Sequence, residues 1–237
     1  MEQVSVACAT CAVRNQAICA ALDSAELTAL SRIRRHQHLS AGQTLAWEGD
    51  DAFVVASVTS GVLKLTKSLG DGREQIVGLA FPADFIGRPF HSKTTNTVTA
   101  LTDTDICVFR RSDFENYASD HPQLERKLLE RTLAELDRAR DWMTRLGRKS
   151  ASEKICSFLI DISERLSADT CIGATTADEF ELPFGRQQVA DILGLTIETV
   201  SRQLTALKRG GLIDLSGRRT IHILDRTPLV EAAETFA

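Results

Sequence analysis

A helix-turn-helix pattern near the C-terminus constrains this chain more than any other feature, because it fixes two short helices around one glycine. The stretch from Gly185 to Gly211 reads GRQQVADILGLTIETVSRQLTALKRGG. Apolar residues recur at helical spacing in Arg186–Leu193 and again from Ile197 to about Lys208. Gly194 supplies the tight turn, and Thr196 is a hydroxyl residue of the kind that caps a helix. The sequence therefore predicts two helices packed across a short turn.

The second predicted helix carries a polar face near its N-terminus that suits contact with DNA bases. Arg202 can donate two hydrogen bonds to a guanine, Glu198 can accept one from a cytosine, and Ser201 can bond a base or a phosphate. A recognition helix presents side chains from this end to the major groove. An ordinary helical hairpin with a solvated polar face would show the same pattern, so the residues that follow matter.

A predicted β-hairpin follows the second helix. Leu212–Leu215 and Thr220–Ile223 are two short alternating strands around a turn with a basic tip. Helix, turn, helix and basic hairpin together predict a winged DNA-binding domain. Further DNA contacts are expected from its basic side chains, Arg186, Lys208, Arg218 and Arg219.

The charge distribution agrees with this prediction although the net charge of the chain is −4. From Gly185 to His222 there are six basic and three acidic side chains, so this segment is basic and the remainder of the chain is acidic. A locally basic face is enough to contact phosphates.

Composition narrows the protein class. The chain has 237 residues, 43% of them hydrophobic, which is enough for one large or two modest domains. No apolar run of about 18 residues predicts a membrane span, and no signal peptide pattern opens the chain, so we expect a cytoplasmic protein. The five histidines form no metal or catalytic spacing, and no nucleophile motif or glycine-rich nucleotide loop occurs. We therefore expect no enzyme, although a metabolic enzyme with an appended DNA-binding domain is the alternative from another class.

The N-terminal half has the pattern of a β-sandwich or jelly roll. Asp23–Glu26 is similar to a capping box that opens a short helix extending to about Arg32. Short strand patterns separated by turn signals follow, as in all-β domains. They cover Thr44–Trp47, Phe53–Val58, Val62–Thr66, Gln75–Leu79, Thr97–Leu101 and Ile106–Phe109.

A long helix is predicted from Pro122 to about Leu146, and a further helix over Ala151–Ser167. A helix of the first kind with a narrow apolar stripe usually packs against its own copy in a homodimer. In the alternative arrangement the stripe lies on the β-domain. Arg140, beside Ala139, interrupts the stripe and places like charges opposite each other in a parallel dimer. We call the following positions the seam: Leu129, Leu133, Leu136, Ala139, Arg140 and Met143.

This order of elements resembles the CRP/FNR superfamily of bacterial transcription regulators. The resemblance covers nearly the whole chain and is visible in Thr59–Lys64, Arg73–Gly78, Phe85–Gly87 and, most specifically, Leu195–Arg202. It implies an α+β fold with a jelly-roll sensor domain over residues 22–121, a dimerisation helix over 122–147 and a winged helix-turn-helix domain over 148–237. Residues 1–21 form a separate cysteine-rich segment.

Glu-x-x-Ser-Arg in the recognition helix is similar to the FNR and FixK branches. These branches recognise an inverted repeat close to TTGAT, four unspecified base pairs and ATCAA. The resemblance implies that Glu198, Ser201 and Arg202 read bases and that Ile197 touches a thymine methyl group. By fold analogy, the turn at Gly70–Arg73 would contact RNA polymerase.

Three cysteines with the spacing C-x₂-C-x₇-C precede the folded body, namely Cys8, Cys11 and Cys19. From spacing alone they are compatible with zinc, a redox disulfide or an iron–sulfur cluster. The resemblance to FixK/FnrN-like members implies a [4Fe–4S] cluster, which we call the cluster, with Cys107 at the end of the last barrel strand as the fourth ligand. Cys156 lies on an apolar helix and is expected in the core.

The resemblance also bears on cyclic nucleotides. Cyclic-nucleotide-binding relatives carry an Arg-Ser/Thr-Ala phosphate cassette, whereas this chain has Thr94-Thr95-Asn96 and no arginine there. A phosphate in a jelly roll needs such a donor, so we expect no cyclic nucleotide to bind. The leading hypothesis is an oxygen-responsive, dimeric transcription activator. The alternative is a regulator of the same fold whose cysteines hold zinc or form a redox disulfide.

Overall fold

The computed structural model describes residues 8, 10–68, 70–72, 74–167, 178–217 and 219–234. The fold is α+β, as predicted, and the chain divides into two compact units. We call Met1–Ser68 with Val77–Arg138 the β unit, and Leu69–Ile76 with Ala139–Ala237 the winged unit.

Two four-stranded sheets form the sandwich, in the orders β1-β8-β3-β6 and β2-β7-β4-β5. All six of these predicted strands are present with shifted ends, β1 contains the alternation of His36 and His38, and β6 was not predicted. The strands are β1 (Arg34–Leu39), β2 (Thr44–Ala46), β3 (Val54–Ser60), β4 (Leu63–Ser68), β5 (Glu74–Ala80), β6 (Phe85–Ile86), β7 (Thr97–Ala100) and β8 (Thr104–Arg110).

The central strands β3 and β8 bury both faces. Ala56 and Val58 of β3 pack with Ile106 and Val108 of β8 in the core between the sheets. Side chains of the alternate positions point to the opposite face, because successive residues of a strand alternate. That outer face packs against the helices of the β unit, α1 (Ser24–Ile33), α2 (Arg111–Ser119) and the first turns of α3 (Pro122–Arg148).

Local sequence signals explain two features of the β unit. The predicted capping box is confirmed, because the Asp23 carboxylate accepts hydrogen bonds of 2.8 Å from the backbone N–H groups of Ala25 and Glu26. Gly61 has φ +79°, and a Cβ atom there would lie 2.4 Å from the carbonyl oxygen of Asp103. Only glycine therefore fits this turn without a shift of the backbone.

The seam side chains lie on the surface of the single chain. Helix α3 continues two residues beyond the predicted end, to Arg148. Its large apolar seam residues keep between 43% and 64% of their surface exposed, and Ala139 and Arg140 are exposed as well. The alternative in which the stripe packs on the β-domain is not what the structure shows.

Within the described residues, the winged unit contains the end of α3 and four further helices, α4 (Ala151–Ser167), α5 (Arg186–Leu193), α6 (Ile197–Arg209) and α7 (Arg226–Glu234). A three-stranded sheet has the order β10-β11-β9, with β9 (Glu179–Glu181), β10 (Ile213–Ser216) and β11 (Thr220–Ile223). Strand β9 was not predicted. Phe158 of α4 and Phe184 pack in the core with ring centroids 5.8 Å apart.

Over the described residues, none of the helices combines the length and the hydropathy that crossing a membrane requires.

Candidate nucleic-acid interface and cysteine site

The turn and the cap of the predicted helix-turn-helix are both confirmed. Gly194 ends α5 in the left-handed conformation, with φ 61° and ψ 41°. Thr196 then caps α6, because its hydroxyl oxygen accepts a hydrogen bond of 3.2 Å from the backbone N–H of Thr199. A glycine at the end of one helix and a hydroxyl at the start of the next fix the turn.

Helix α6 buries one face and presents the other. Val200, Leu204 and Leu207 are buried at helical spacing, as predicted. Residues between them face outward, and α6 ends at Arg209, one residue beyond the predicted end. The helix is therefore anchored along its length while its polar side remains accessible.

The predicted base-reading side chains are grouped at the start of α6. Ile197 is 38% exposed, and Glu198 and Arg202 are exposed. Hydrogen bonds from its own backbone N–H and from Thr196 lower the pKa of Glu198, so its carboxylate is ionised near neutral pH. An ionised carboxylate can only accept hydrogen bonds, as contact with a cytosine amino group requires.

Ser201 is half-buried and has a charged partner on the preceding helix, α5. The Arg186 guanidinium donates a hydrogen bond of 3.3 Å to the Ser201 hydroxyl, and both residues are half-buried. The hydroxyl is thereby oriented before any DNA is bound. In this structure Arg186 therefore orients the Ser201 hydroxyl.

The predicted hairpin is present, and its second strand, β11, also pairs with β9. Strands β10 and β11 pair in the register Ile213 to Ile223, and the Arg219 carbonyl accepts a hydrogen bond of 2.9 Å from the Leu182 N–H. The Arg219 side chain is exposed at the tip. Arg218, which was predicted with it, lies outside the described residues.

Lys208 is less available for DNA than the sequence suggested. Its ammonium group lies 2.7 Å from a carboxylate oxygen of Asp214 on β10. The hydrogen bond from Lys208 is the main cause that lowers the pKa of Asp214, so the pair is ionised near neutral pH. Lys208 therefore joins the end of α6 to the wing.

The four cysteines predicted as ligands lie in one region of the β unit. Cys8, Cys19 and Cys107 pack against the apolar outer face of the sheet, and Cys11 packs beside Val13 and Ala17. The fold brings Cys107 of β8 to a segment almost ninety residues earlier in the chain. We call these four thiols and their apolar surroundings the cysteine site.

The electrostatics also show that the thiols are close together. Burial, followed by the charge interactions with Cys107, Cys8 and Cys11, raises the pKa of the Cys19 thiol to about 12. Burial likewise raises the pKa of Cys107 to about 11, against the lowering effect of the Arg34 guanidinium, which hydrogen-bonds it. A metal binds cysteine as the thiolate, so bound cations would have to offset this desolvation.

One detail of the prediction for Cys107 was wrong. Cys107 lies in the middle of β8, which spans Thr104–Arg110, and not at its end. Strand β8 extends in both directions beyond the predicted run, Ile106–Phe109. It pairs with β1 along this length, with His36 opposite Cys107 and His38 opposite Asp105. Cys107 is therefore paired on both sides, with His36 of β1 and with Ser57 of β3.

Thiol chemistry and apolar surroundings fit an iron–sulfur cluster, which is held by Cys thiolates. Ile18, beside Cys19, is completely buried in the same group of side chains. Within the described ranges, no three His, Cys, Asp or Glu side chains converge closely enough to hold one metal ion. The four thiols thus share a region and do not form a preassembled mononuclear site.

Comparison with known proteins identifies the family. A model described as a Crp-like helix-turn-helix domain matches residues 153–232, and one described as a cyclic nucleotide-binding domain matches residues 36–121. The transcriptional activator protein FnrL of Cereibacter sphaeroides is 46% identical over 95% of this chain and 91% of its own. The chain belongs to the CRP/FNR family of transcription regulators.

Other relatives of this CRP/FNR regulator support the same conclusion. The nitrogen fixation regulation protein FixK of Bradyrhizobium diazoefficiens is 43% identical over 87% of this chain and 85% of its own. The solved structure of FixK2 from Bradyrhizobium japonicum superposes with a TM-score of 0.78 at 32% identity, covering 86% of this chain and all of that one. Fold class and family were thus both predicted from the sequence.

Cys156 lies where the sequence predicts it, and two histidines of β1 approach a carboxylate of β8. Cys156 is completely buried in α4, whereas Cys171 lies outside the described residues. His36 and His38 are on the surface, where both approach the Asp105 carboxylate, at 3.7 and 3.0 Å. Hydrogen bonds from His38 and Ser60 lower the pKa of Asp105.

Two lysines of this CRP/FNR regulator near Thr94–Asn96 are paired with carboxylates. Lys93 lies 2.8 Å from Asp51, and Lys67 donates hydrogen bonds to Glu48 and to the Thr95 carbonyl. The match to a cyclic nucleotide-binding domain describes the family of the fold. It does not supply the arginine that the phosphate would need.

Proposed function

We propose that this chain is an oxygen-responsive transcription activator that binds DNA as a homodimer while the cysteine site holds a [4Fe–4S] cluster. The observation that carries the proposal is that Cys8, Cys19 and Cys107 pack in one apolar group on the outer face of the β unit, with Cys11 in the neighbouring group. The relatives FnrL of Cereibacter sphaeroides and FixK, both described as activators or regulators, support the role in transcription.

The DNA-binding step rests on the start of α6. Ile197, Glu198 and Arg202 are exposed there, and Ser201 is oriented by Arg186. An exposed apolar side chain beside an acceptor and a bidentate donor is the combination that reads a thymine methyl, a cytosine and a guanine. We infer that this group reads one half of an FNR-type inverted repeat, with Arg219 near the backbone.

The dimerisation step rests on the seam. Its leucines and methionine are exposed in the single chain at a spacing that places them on one side of α3. A row of large apolar side chains exposed on a long helix is typical of a coiled-coil contact. Two copies of α3 would bury the row, with the Arg140 side chains opposing association.

The link between the two steps is the beginning of α3. Leu124 is completely buried and Leu128 partly buried in the same group of side chains that contains Cys8, Cys19 and Cys107. The Gln123 amide also donates a hydrogen bond to the Glu26 side chain of α1. The packing of the cysteine segment therefore extends directly to the base of the dimer helix.

When bound, the cluster would link the four cysteine thiolates to one another, and its oxidation by oxygen would break these links. The chain's own residues supply the rest: the thiolates hold residues 8–19 against β8, and this packing supports the first turns of α3. Release of the segment would remove apolar contacts from Leu124 and weaken the dimer. We propose in addition that no cyclic nucleotide binds, which calorimetric titration with cAMP would test directly.

The test is an anaerobic purification of the full chain followed by iron, sulfide and zinc analysis. We expect a brown protein with about four irons and four sulfides per chain, the composition of a [4Fe–4S] cluster. It should shift an inverted-repeat duplex without oxygen and lose both colour and binding in air. A colourless protein with one zinc, or one that binds DNA equally well in air, would overturn the proposal.

A further inference from the structure

The Ser57 hydroxyl is a buried polar group without a partner. Among the described residues, its Oγ is the one buried side-chain oxygen or nitrogen that makes no hydrogen bond. Ser57 is 3% exposed and lies in the middle of β3. Such a group is costly to bury, and its presence in a native fold calls for a partner that satisfies it.

The strand register places this hydroxyl at the cysteine site. Ser57 lies directly opposite Cys107 in the pairing of β3 with β8, and opposite Phe85 in the pairing of β3 with β6. Residues directly opposite each other in antiparallel strands share a face of the sheet, with Cβ atoms about 4.5–5.5 Å apart. Val55 and Phe109, two residues further along each strand, pack in the same group as Cys107.

We propose that the Ser57 hydroxyl donates a hydrogen bond to a sulfur atom of the bound cluster, either the Cys107 thiolate or an inorganic sulfide. The proposal rests on the proposed function, because the acceptor belongs to the cluster. Hydrogen bonds to the sulfurs are one of the factors that set the reduction potential of an iron–sulfur cluster. A donor favours the more negative, reduced state, so Ser57 raises the potential and slows oxidation by oxygen.

Ser57 is separable from the other donor at this position. The Arg34 guanidinium of β1 also hydrogen-bonds the Cys107 thiol, but it brings a full positive charge. Its substitution would change the charge of the site and the hydrogen bond together. Replacement of Ser57 by alanine removes one neutral donor, keeps the Cβ atom and leaves every charge in place.

The matched control is another buried hydroxyl on the same sheet. Thr104 is completely buried on β8, and its Oγ1 donates a hydrogen bond of 2.8 Å to the Thr102 carbonyl. Ser57→Ala removes a hydroxyl that has no protein partner, whereas Thr104→Val removes one that has. Without the cluster, Ser57→Ala should unfold at the same or a higher denaturant concentration than the parent, and Thr104→Val at a lower one.

With the cluster bound, we expect Ser57→Ala to be the variant that differs from the parent. We expect a redox titration of anaerobic Ser57→Ala to give a more negative midpoint potential and several-fold faster bleaching in air, while Thr104→Val matches the parent in both. Iron–sulfur stretching bands in resonance Raman spectra should shift in D₂O for the parent and Thr104→Val. The part of that shift due to Ser57 should be missing from Ser57→Ala.

Three results decide the proposal. A brown Ser57→Ala protein with the parental potential and D₂O shift overturns it and leaves the proposed function intact, whereas a parent without iron and sulfide overturns the proposed function itself. If Ser57→Ala cannot hold the cluster, Ser57→Thr separates the causes. Retention of the cluster and potential by Ser57→Thr supports the hydrogen bond, and its loss assigns the effect to packing.

Discussion

The recognition helix and the cysteine site are built in opposite ways. Every predicted base-reading side chain comes from one helical turn and a half, Ile197–Arg202, presented by a helix with its own cap. The cysteine site combines the segment before α1, whose Cys19 lies in a short 3-10 helix, with Cys107 in the middle of the last strand of the sandwich. One site is local and the other exists only when the β unit is folded.

This difference determines how each site responds to change. The local site depends on a turn and a cap that the winged unit carries itself. The discontinuous site depends on the packing that joins residues 8–19, β8 and the first turns of α3. Under the proposed function, a change in the second site would therefore act on the first turns of α3, whereas α6 keeps its own turn and cap.

The largest expected effect comes from Cys107, since it supplies the only proposed ligand from the sheet. Anaerobic Cys107→Ser should lose its brown colour and bind the inverted repeat no better than unrelated DNA, which is typically about 10³-fold weaker or more. Visible spectra and gel shifts measure both. The fold of the winged unit, followed by thermal unfolding, should be unaffected.

Cys156→Ala is the control for this prediction, because Cys156 is a buried cysteine that belongs to α4 and not to the cysteine site. It should keep its colour and its DNA binding. A coloured Cys107→Ser protein contradicts the ligand assignment. A colourless one that binds normally separates the cluster from dimerisation.

The next effect compares two leucines of the same helix. Leu124 is completely buried in the β unit, whereas Leu133 in the seam is 52% exposed. Leu124→Ala should lower the free energy of unfolding of the monomer by about 2–5 kcal/mol, because it leaves a cavity. Leu133→Ala should leave the monomer almost unchanged and raise the dissociation constant of the dimer.

Denaturant unfolding at low concentration and sedimentation equilibrium distinguish these outcomes. Arg140→Leu should act in the opposite direction to Leu133→Ala, strengthen the dimer and partly restore DNA binding in air. If Leu133→Ala destabilises the monomer as much as Leu124→Ala does, the seam packs within one chain and not between two.

The two sites also differ in how much of each could be predicted from the sequence. Gly194, Thr196 and the buried leucines of α6 act over a few residues, so a local pattern predicts their structure. The convergence of Cys107 with Cys8 depends on tertiary pairing, and only the resemblance to a family indicated it. Its place in the strand was misjudged because polar Asp105 hides the start of β8.

Other elements left no local signal at all. Strand β6 is two residues long and β9 three, too short for alternation to show. Helix α2 follows β8 directly, with Arg110 as an N-cap that makes no side-chain hydrogen bond. The isolation of the Ser57 hydroxyl is likewise a property of the folded sheet, since the sequence does not indicate which serines will lack a partner.

A smaller effect is expected within the recognition helix. If Arg202 reads a guanine with two hydrogen bonds, Arg202→Ala should cost about 1–3 kcal/mol per half-site and relax the preference at that base pair. Arg202→Lys should lose most of the same preference, because an ammonium cannot make the bidentate contact. Binding to a set of duplexes with single substitutions measures this.

Arg209 provides the matched position, because it is also exposed but lies at the C-terminal end of α6. Arg209→Ala should weaken binding to all duplexes to the same degree. An unchanged base preference in Arg202→Ala would remove that residue from base reading.

The smallest effect concerns Lys208, whose contribution to phosphate binding is reduced by its ion pair. Asp214 lies 2.7 Å away, and its lowered pKa means that the pair persists near neutral pH and weakens only when acid protonates the carboxylate. A lysine that stays paired with a carboxylate does not neutralise a phosphate, so it adds little to the number of counterions that DNA releases on binding. Lys208→Ala should therefore change the slope of log K against log salt only slightly.

Asp214→Asn frees the ammonium group and should make that slope steeper by up to about 0.9 per subunit. A loss of about 0.9 per subunit in Lys208→Ala would instead mean that the pair opens on DNA and that Lys208 contacts a phosphate directly.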